Sequence, residues 1–126
     1  VGILNQSDPK QRYLENSEKI YQQRYEETKN LDHLYSVLIS QILQKKVKNA
    51  EVTIDRILNF DFANGNTYLT KSIIKIYLIK PKEAQEVINK AKIYNISSES
   101  KPILDILEGV VKIMNFKFLD AYQILS

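Results

Sequence analysis

The feature that most constrains this chain is a recurrence. Three segments share one pattern: Lys48-Asn49-Ala50-Glu51-Val52-Thr53-Ile54, Lys82-Glu83-Ala84-Gln85-Glu86-Val87-Ile88 and Leu119-Asp120-Ala121-Tyr122-Gln123-Ile124-Leu125. Each sets a polar or acidic residue before an alanine, and a large aliphatic residue four positions after it. A spacing of four puts the alanine and the aliphatic on one helical face. Ala50 and Ala84 stand 34 positions apart, and Ala84 and Ala121 stand 37 apart. A period of this length implies units of two helices that bury their faces against one another.

The rest of the sequence agrees with helices. Gly and Pro number three each among 126 residues, too few breakers for a turn-rich sheet protein. Two-residue alternation is nowhere sustained, so an all-α fold is expected. Residues 1–8 read as a loose lead-in. Ser7-Asp8-Pro9 starts a helix over 9–29, with Tyr13, Leu14, Ile20, Tyr21 and Tyr25 at helical spacing. Asp32 reads as the N-cap of the next helix, whose apolar face spans Leu34 to Leu43. A shorter helix carries Ala50, Ile54 and Ile57. A turn around Asp61, Asn64 and Gly65 precedes a helix over Thr67–Ile79. Pro81 opens a helix with Ala84, Val87, Ile88 and Ala91, and residues 95–100 form a polar loop. Pro102 starts a helix to about Asn115, and a final helix begins near Lys117.

With two helices per 34 residues, the chain resembles the tetratricopeptide repeat family over residues 31–126. In that family a small residue opens the second helix of each hairpin, as at Ala50, Ala84 and Ala121. The aliphatic residue four later matches at Ile54, Ile88 and Leu125. The small residue seven later matches at Ala91 but is Ile57 in the first unit. The small residue midway through the first helix corresponds to Leu38, Ser72 and Gly109. The proline after the second helix is missing throughout. The resemblance implies a right-handed superhelical stack of antiparallel helical hairpins. Its units fall at 31–64, 65–98 and 99–126, the third cut short, after the N-terminal helix at 9–29. Counting back 34 from Ala50 lands on Asn16, with Ile20 four later, so the N-terminal helix imitates a second helix. The competing architecture is a closed antiparallel bundle.

The resemblance also implies a role. First helices line a concave groove, here at Tyr35, Ile39, Ile42 and Leu43, then at Leu69, Ile73, Ile76 and Tyr77. An aliphatic and aromatic lining suits an amphipathic helix or apolar segment of a protein or peptide partner; the plainer reading is that these side chains are core. Lysines cluster at the hairpin bends, Lys45, Lys46 and Lys48 in one unit and Lys80 and Lys82 in the next. They form either a basic edge or simply solvated turns. Net charge is only +3, so nucleic acid is not the expected partner. The alternative reading is an RNA-binding helical repeat using the lysine edge and the tyrosines, Tyr13 to Tyr122, as stacking platforms.

Catalysis finds little footing. With no cysteine and a single histidine, His33, thiolate chemistry, disulfides and His-pair metal sites are absent from the sequence. Gly2, Gly65 and Gly109 are isolated, so no Gly-rich phosphate loop exists. No enzyme activity and no cofactor are expected. Asn5-Gln6-Ser7 and Asn95-Ile96-Ser97 match the glycosylation pattern, one short enough to recur by chance. No window is long and apolar enough to span a membrane. The chain opens on Val1, so removal of an upstream leader or anchor is expected, with the cytoplasm as the default compartment. The apolar C-terminal helix is expected to recruit cover from a second copy through Phe118, Ala121 and Leu125.

Overall fold

A computed structural model describes residues 8–94 and 96–125, with side chains described as far as Lys117. Residues 1–7 of the lead-in, with the first glycosylation pattern, Asn95 of the second, and the side chains of Phe118, Ala121 and Leu125 lie outside the described residues. The described residues form six helices and no strand: α1 (Pro9–Thr28), α2 (Leu31–Leu43), α3 (Val47–Phe60), α4 (Gly65–Tyr77), α5 (Pro81–Ile93) and α6 (Lys101–Leu125). The all-helical expectation therefore holds. Among the described residues no helix is long and apolar enough to cross a membrane.

Local chemistry sets the helix starts. The Asp8 carboxylate accepts the Lys10 N–H, with Pro9 in the first turn of α1. Asn30, not Asp32, caps α2: its side-chain oxygen accepts the Asp32 N–H at 3.0 Å. Asp32 lies inside the first turn, where its charge complements the helix dipole. Asn64 caps α4 by accepting the Thr67 N–H at 3.1 Å, so this helix starts at Gly65. The break expected near residues 115–117 does not occur. Asn115-Phe116-Lys117 contains neither Gly nor Pro, and asparagine inside a helix costs only about half a kcal/mol, so α6 runs unbroken.

The 34-residue period is written into the backbone. Adding 34 to the bounds of α2 gives those of α4, and α3 and α5 start 34 residues apart. The caps Asn30 and Asn64 correspond, and so do the two bends. Lys45 and Ile79 both take left-handed conformation, with φ of 62° and 58°. The Lys46 N–H donates to the Gln41 carbonyl and the Lys80 N–H to the Lys75 carbonyl, both at 2.9 Å. The Lys45 and Ile79 N–H groups reach back to Ile42 and Ile76 at 2.9 and 3.0 Å. This paired closure satisfies the last carbonyls of each helix.

A β-branched residue fits the left-handed region poorly, so Ile79 is strained. Ile79→Gly is expected to stabilise the chain by about 1 kcal/mol, read as a higher thermal midpoint by circular dichroism. Ile79→Ala keeps its Cβ and should gain much less; equal gains would rule out backbone strain as the cause.

The chain divides into two compact units, residues 1–60 and 61–126. In the first, α2 packs against both α1 and α3. Leu14 and Tyr25 of α1 are buried, as are Leu34, Val37 and Leu38 of α2 and Ala50, Ile54 and Ile57 of α3. Asn16 and Ile20 are exposed, so α1 does not reproduce the packing of α3. It turns a different face inward, through Leu14 and Tyr25. The Arg56 guanidinium lies 5.1 Å from the Tyr25 ring centre and reaches Gln22 and Glu26, both at 3.5 Å.

In the second unit, α4 and α5 pack together and α6 lies against both. Its core is Tyr68, Leu69, Ser72 and Ile74 with Ala84, Val87, Ile88 and Ala91, closed by Leu104 and Val111. Tyr68 stacks on Tyr94 at 5.4 Å, and Phe62 meets Tyr94 edge-on. Burial, with Tyr94 beside it, raises the Tyr68 phenol above its usual pKa. The buried set of α3, Ala50, Thr53, Ile54 and Ile57, corresponds position by position to Ala84, Val87, Ile88 and Ala91 of α5. Ala50 and Ala84 thus occupy equivalent positions in their units, each fully buried.

Candidate protein-binding surfaces

The groove residues expected from sequence divide by exposure. On α2, Ile39, Ile42 and Leu43 are exposed, at 57%, 41% and 58%. On α4, Ile73 and Tyr77, the counterparts of Ile39 and Leu43, are 45% and 65% exposed. Each first helix therefore carries an apolar stripe facing solvent at the same register. An exposed apolar stripe is more informative than scattered apolar residues, because leaving it in water has a free-energy cost. Tyr35 and Ile76 are half-buried, and Leu69 is buried in the core of its unit. Leu69 therefore serves packing, because it falls on the inner side of α4 with Ser72.

The expected basic edge is only partly charged outward. Lys46 is half-buried and bonds Glu18 at 3.1 Å. Lys80 and the largely buried Lys75 both lie 3.8 Å from Glu83. Lys45, Lys48 and Lys82 are exposed. In the second unit Ile79, Lys80, Pro81, Lys82, Glu83 and Asn115 surround a shallow depression of about 410 Å³. The α4–α5 bend thus presents an apolar residue ringed by mixed charge.

The polar centre of the first unit was not legible in the sequence. The Glu18 carboxylate accepts from the Gln44 amide at 2.9 Å, the Gln41 amide at 3.1 Å and the Lys46 ammonium at 3.1 Å. The Gln41 carbonyl in turn accepts the Thr53 hydroxyl at 2.6 Å. Three helices and a bend meet in this network, with Gln41 and Thr53 buried. Burial pushes the Glu18 pKa up, but the bonds from Gln44, Gln41 and Lys46 outweigh it, and the net shift is downward. In the sequence, Ser36, Ser40 and Gln44 stand at four-residue spacing on an otherwise apolar helix, a polar stripe that meets this network through Gln44 and does not include Gln41.

The other shifted carboxylates behave alike. Lys29 hydrogen-bonds Glu26 and lowers it, and Lys92 does the same to Glu108. Each shift favours the carboxylate already charged at neutral pH, the setting of a structural ion pair rather than of a general acid. Of the described tyrosines, Tyr25 and Tyr68 are buried, Tyr94 is stacked and Tyr21 stacks on His33 at 6.1 Å, whereas Tyr13 and Tyr77 are exposed. Of the repeat-packing residues, Ala50, Ile54, Ala84, Ile88 and Ala91 are all fully buried. Comparison of the chain with protein-family models, with characterised proteins and with solved structures yields no match.

Proposed function

We propose that this chain is a non-catalytic, tetratricopeptide-like scaffold that holds a protein or peptide partner on the exposed stripes of its first helices. In this reading the α2–α3 and α4–α5 hairpins are successive units of one right-handed superhelical array, and the scaffold serves the assembly or tethering of a larger complex. One observation carries it: Ile39 and Leu43 of α2 recur as Ile73 and Tyr77 of α4, at equal spacing and all exposed. Core packing explains a repeated buried set, but it gives no reason for a repeated exposed one. A ligand with apolar side chains on one face would cover such stripes. The RNA-binding alternative is weaker, because Lys46 and Lys80 are already paired with carboxylates and Tyr21, Tyr25, Tyr68 and Tyr94 are engaged in packing or stacking.

A phage-displayed peptide library selected on the wild-type chain tests the proposal. Selected peptides should be apolar on one face and should lose about 30-fold or more in affinity for an Ile73→Asp/Tyr77→Asp variant, the scale of a hot-spot pair. A Lys48→Glu/Lys82→Glu variant should bind them nearly unchanged. Peptides that bind all three proteins equally would overturn the assignment, as would failure of the library to enrich.

A further inference from the structure

The third first-helix, α6, is left bare where α4 is covered. With a spacing of 37, Thr67 and Ile74 of α4 correspond to Leu104 and Val111 of α6, and all four are buried. On the next side of the helix the two part company. Leu69 and Ser72 of α4 are buried, whereas their counterparts Ile106 and Gly109 are exposed. A Cβ built on Gly109 meets nothing within 4 Å. Ile103, Ile106, Val110, Ile113 and Phe116 form one exposed stripe, each between 36% and 70% exposed. A helix apolar on both faces buries both.

We propose that this stripe binds the same stripe of a second copy, with the two α6 helices antiparallel across a two-fold axis at Gly109–Val110. Three observations select a second copy over any other occupant. The first is self-complementarity: about that axis Ile103 opposes Phe116, and Ile106 opposes Ile113 of the second copy. Gly109 falls at the crossing point, where the missing side chain permits close approach of the helices. The second is charge. Asp105 and Lys112 are both exposed on one edge of the stripe. Antiparallel pairing brings Asp105 onto the same edge as Lys112 of the second copy, offset by two residues along the helix and within reach of the lysine side chain, and Lys112 likewise to its Asp105. A parallel pair does not create this match, which selects orientation as well as partner. The third is area. At roughly 200 Å² per fully exposed side chain of this size, the five leave about 500 Å² bare per copy. Two copies then cover about 1,000 Å², the lower end of specific interfaces, so a reversible dimer follows. An isologous contact of this kind closes on itself and stops at two.

Sedimentation equilibrium of the full chain tests this over concentrations from about 1 µM to about 300 µM. Wild type should pass from monomer to dimer and go no further. Ile106→Asp/Ile113→Asp should weaken the dimer at least 100-fold, with helicity checked by circular dichroism. Asp105→Lys should weaken it, and Asp105→Lys/Lys112→Asp should restore it. Gly109→Cys, the only cysteine in such a chain, should form a disulfide-linked dimer on mild oxidation. A wild-type chain monomeric throughout would overturn the proposal and leave the stripe to a different partner. Failure of the charge exchange to restore association would overturn the antiparallel arrangement. The Ile73→Asp/Tyr77→Asp variant should still dimerise, so peptide capture and self-association stand or fall separately.

Discussion

Ile54→Ala and Ile88→Ala should each destabilise the chain by roughly 2–5 kcal/mol, and by amounts that agree with each other to within about 1 kcal/mol. Both side chains are fully buried, four residues after a fully buried alanine, on helices that start 34 residues apart. Removing three carbons at either place loses transfer free energy and leaves a cavity that rigid neighbouring helices fill only in part. The companion comparison is sharper. Ile57 and Ala91 are counterparts, both fully buried, yet one side chain is large and the other small. Ile57→Ala should cost as much as the other truncations. Ala91→Ile should also destabilise, by about 1–3 kcal/mol, because three more carbons must enter a fully buried helix contact. Urea denaturation followed by helical circular dichroism measures all four. A tolerated Ala91→Ile would mean that the second unit is loosely packed and that the shared register has no shared energetics.

Glu18→Ala should cost about 2–3 kcal/mol, more than truncation of a typical half-exposed glutamate. It leaves the Gln41 and Gln44 amides and the Lys46 ammonium without their common acceptor, and unpaired polar groups near a core are costly. The same site makes stability depend on pH. The folded-state pKa of Glu18 lies below its ordinary 4.5, so below that pH the unfolded chain binds more protons than the folded one. Its contribution is therefore fully present above about pH 4.5 and is lost as pH falls through the lowered folded value. Glu18→Gln removes this titration. The gap in stability between wild type and Glu18→Gln should therefore narrow as pH is lowered from about 6 to about 3. A constant gap would show that the carboxylate charge has no part in holding α1 to α2. Thr53→Val tests the far end of the network, since it removes the hydroxyl bonded to the Gln41 carbonyl.

Both predictions separate two kinds of information. The period was plain in the sequence because its cause is local and steric. A buried helix contact needs a small residue, and Ala50 and Ala84 announce it. The caps came within two residues for the same reason: Asn30 and Asn64 satisfy backbone N–H groups beside them. The sequence points to Asp32 as the cap of α2, whereas Asn30 fills that place; both side chains can cap, and only the backbone geometry distinguishes them.

Other features depend on which helix lies opposite. Nothing along the chain ties Glu18 to Gln41, Gln44 and Lys46, because these residues stand more than twenty positions away and meet only when α1 docks on α2. The basic edge looked uniform in sequence, yet Lys46 and Lys80 lose their free charge to partners set by packing. Ile20 looked like the counterpart of Ile54 and is exposed, whereas Leu14 and Tyr25 are buried. The period recorded spacing but not rotation about the helix axis.

The sequence by itself determined the helices, their 34-residue spacing and the alanines at their contacts, since propensity, capping and steric size act within a few residues of chain. The tertiary structure alone decided which apolar faces are buried and which stay bare, on Ile39, Ile73 and Ile106 alike. Exposure belongs to the pairing of surfaces, and an isoleucine has the same chemistry whether or not a neighbouring helix covers it.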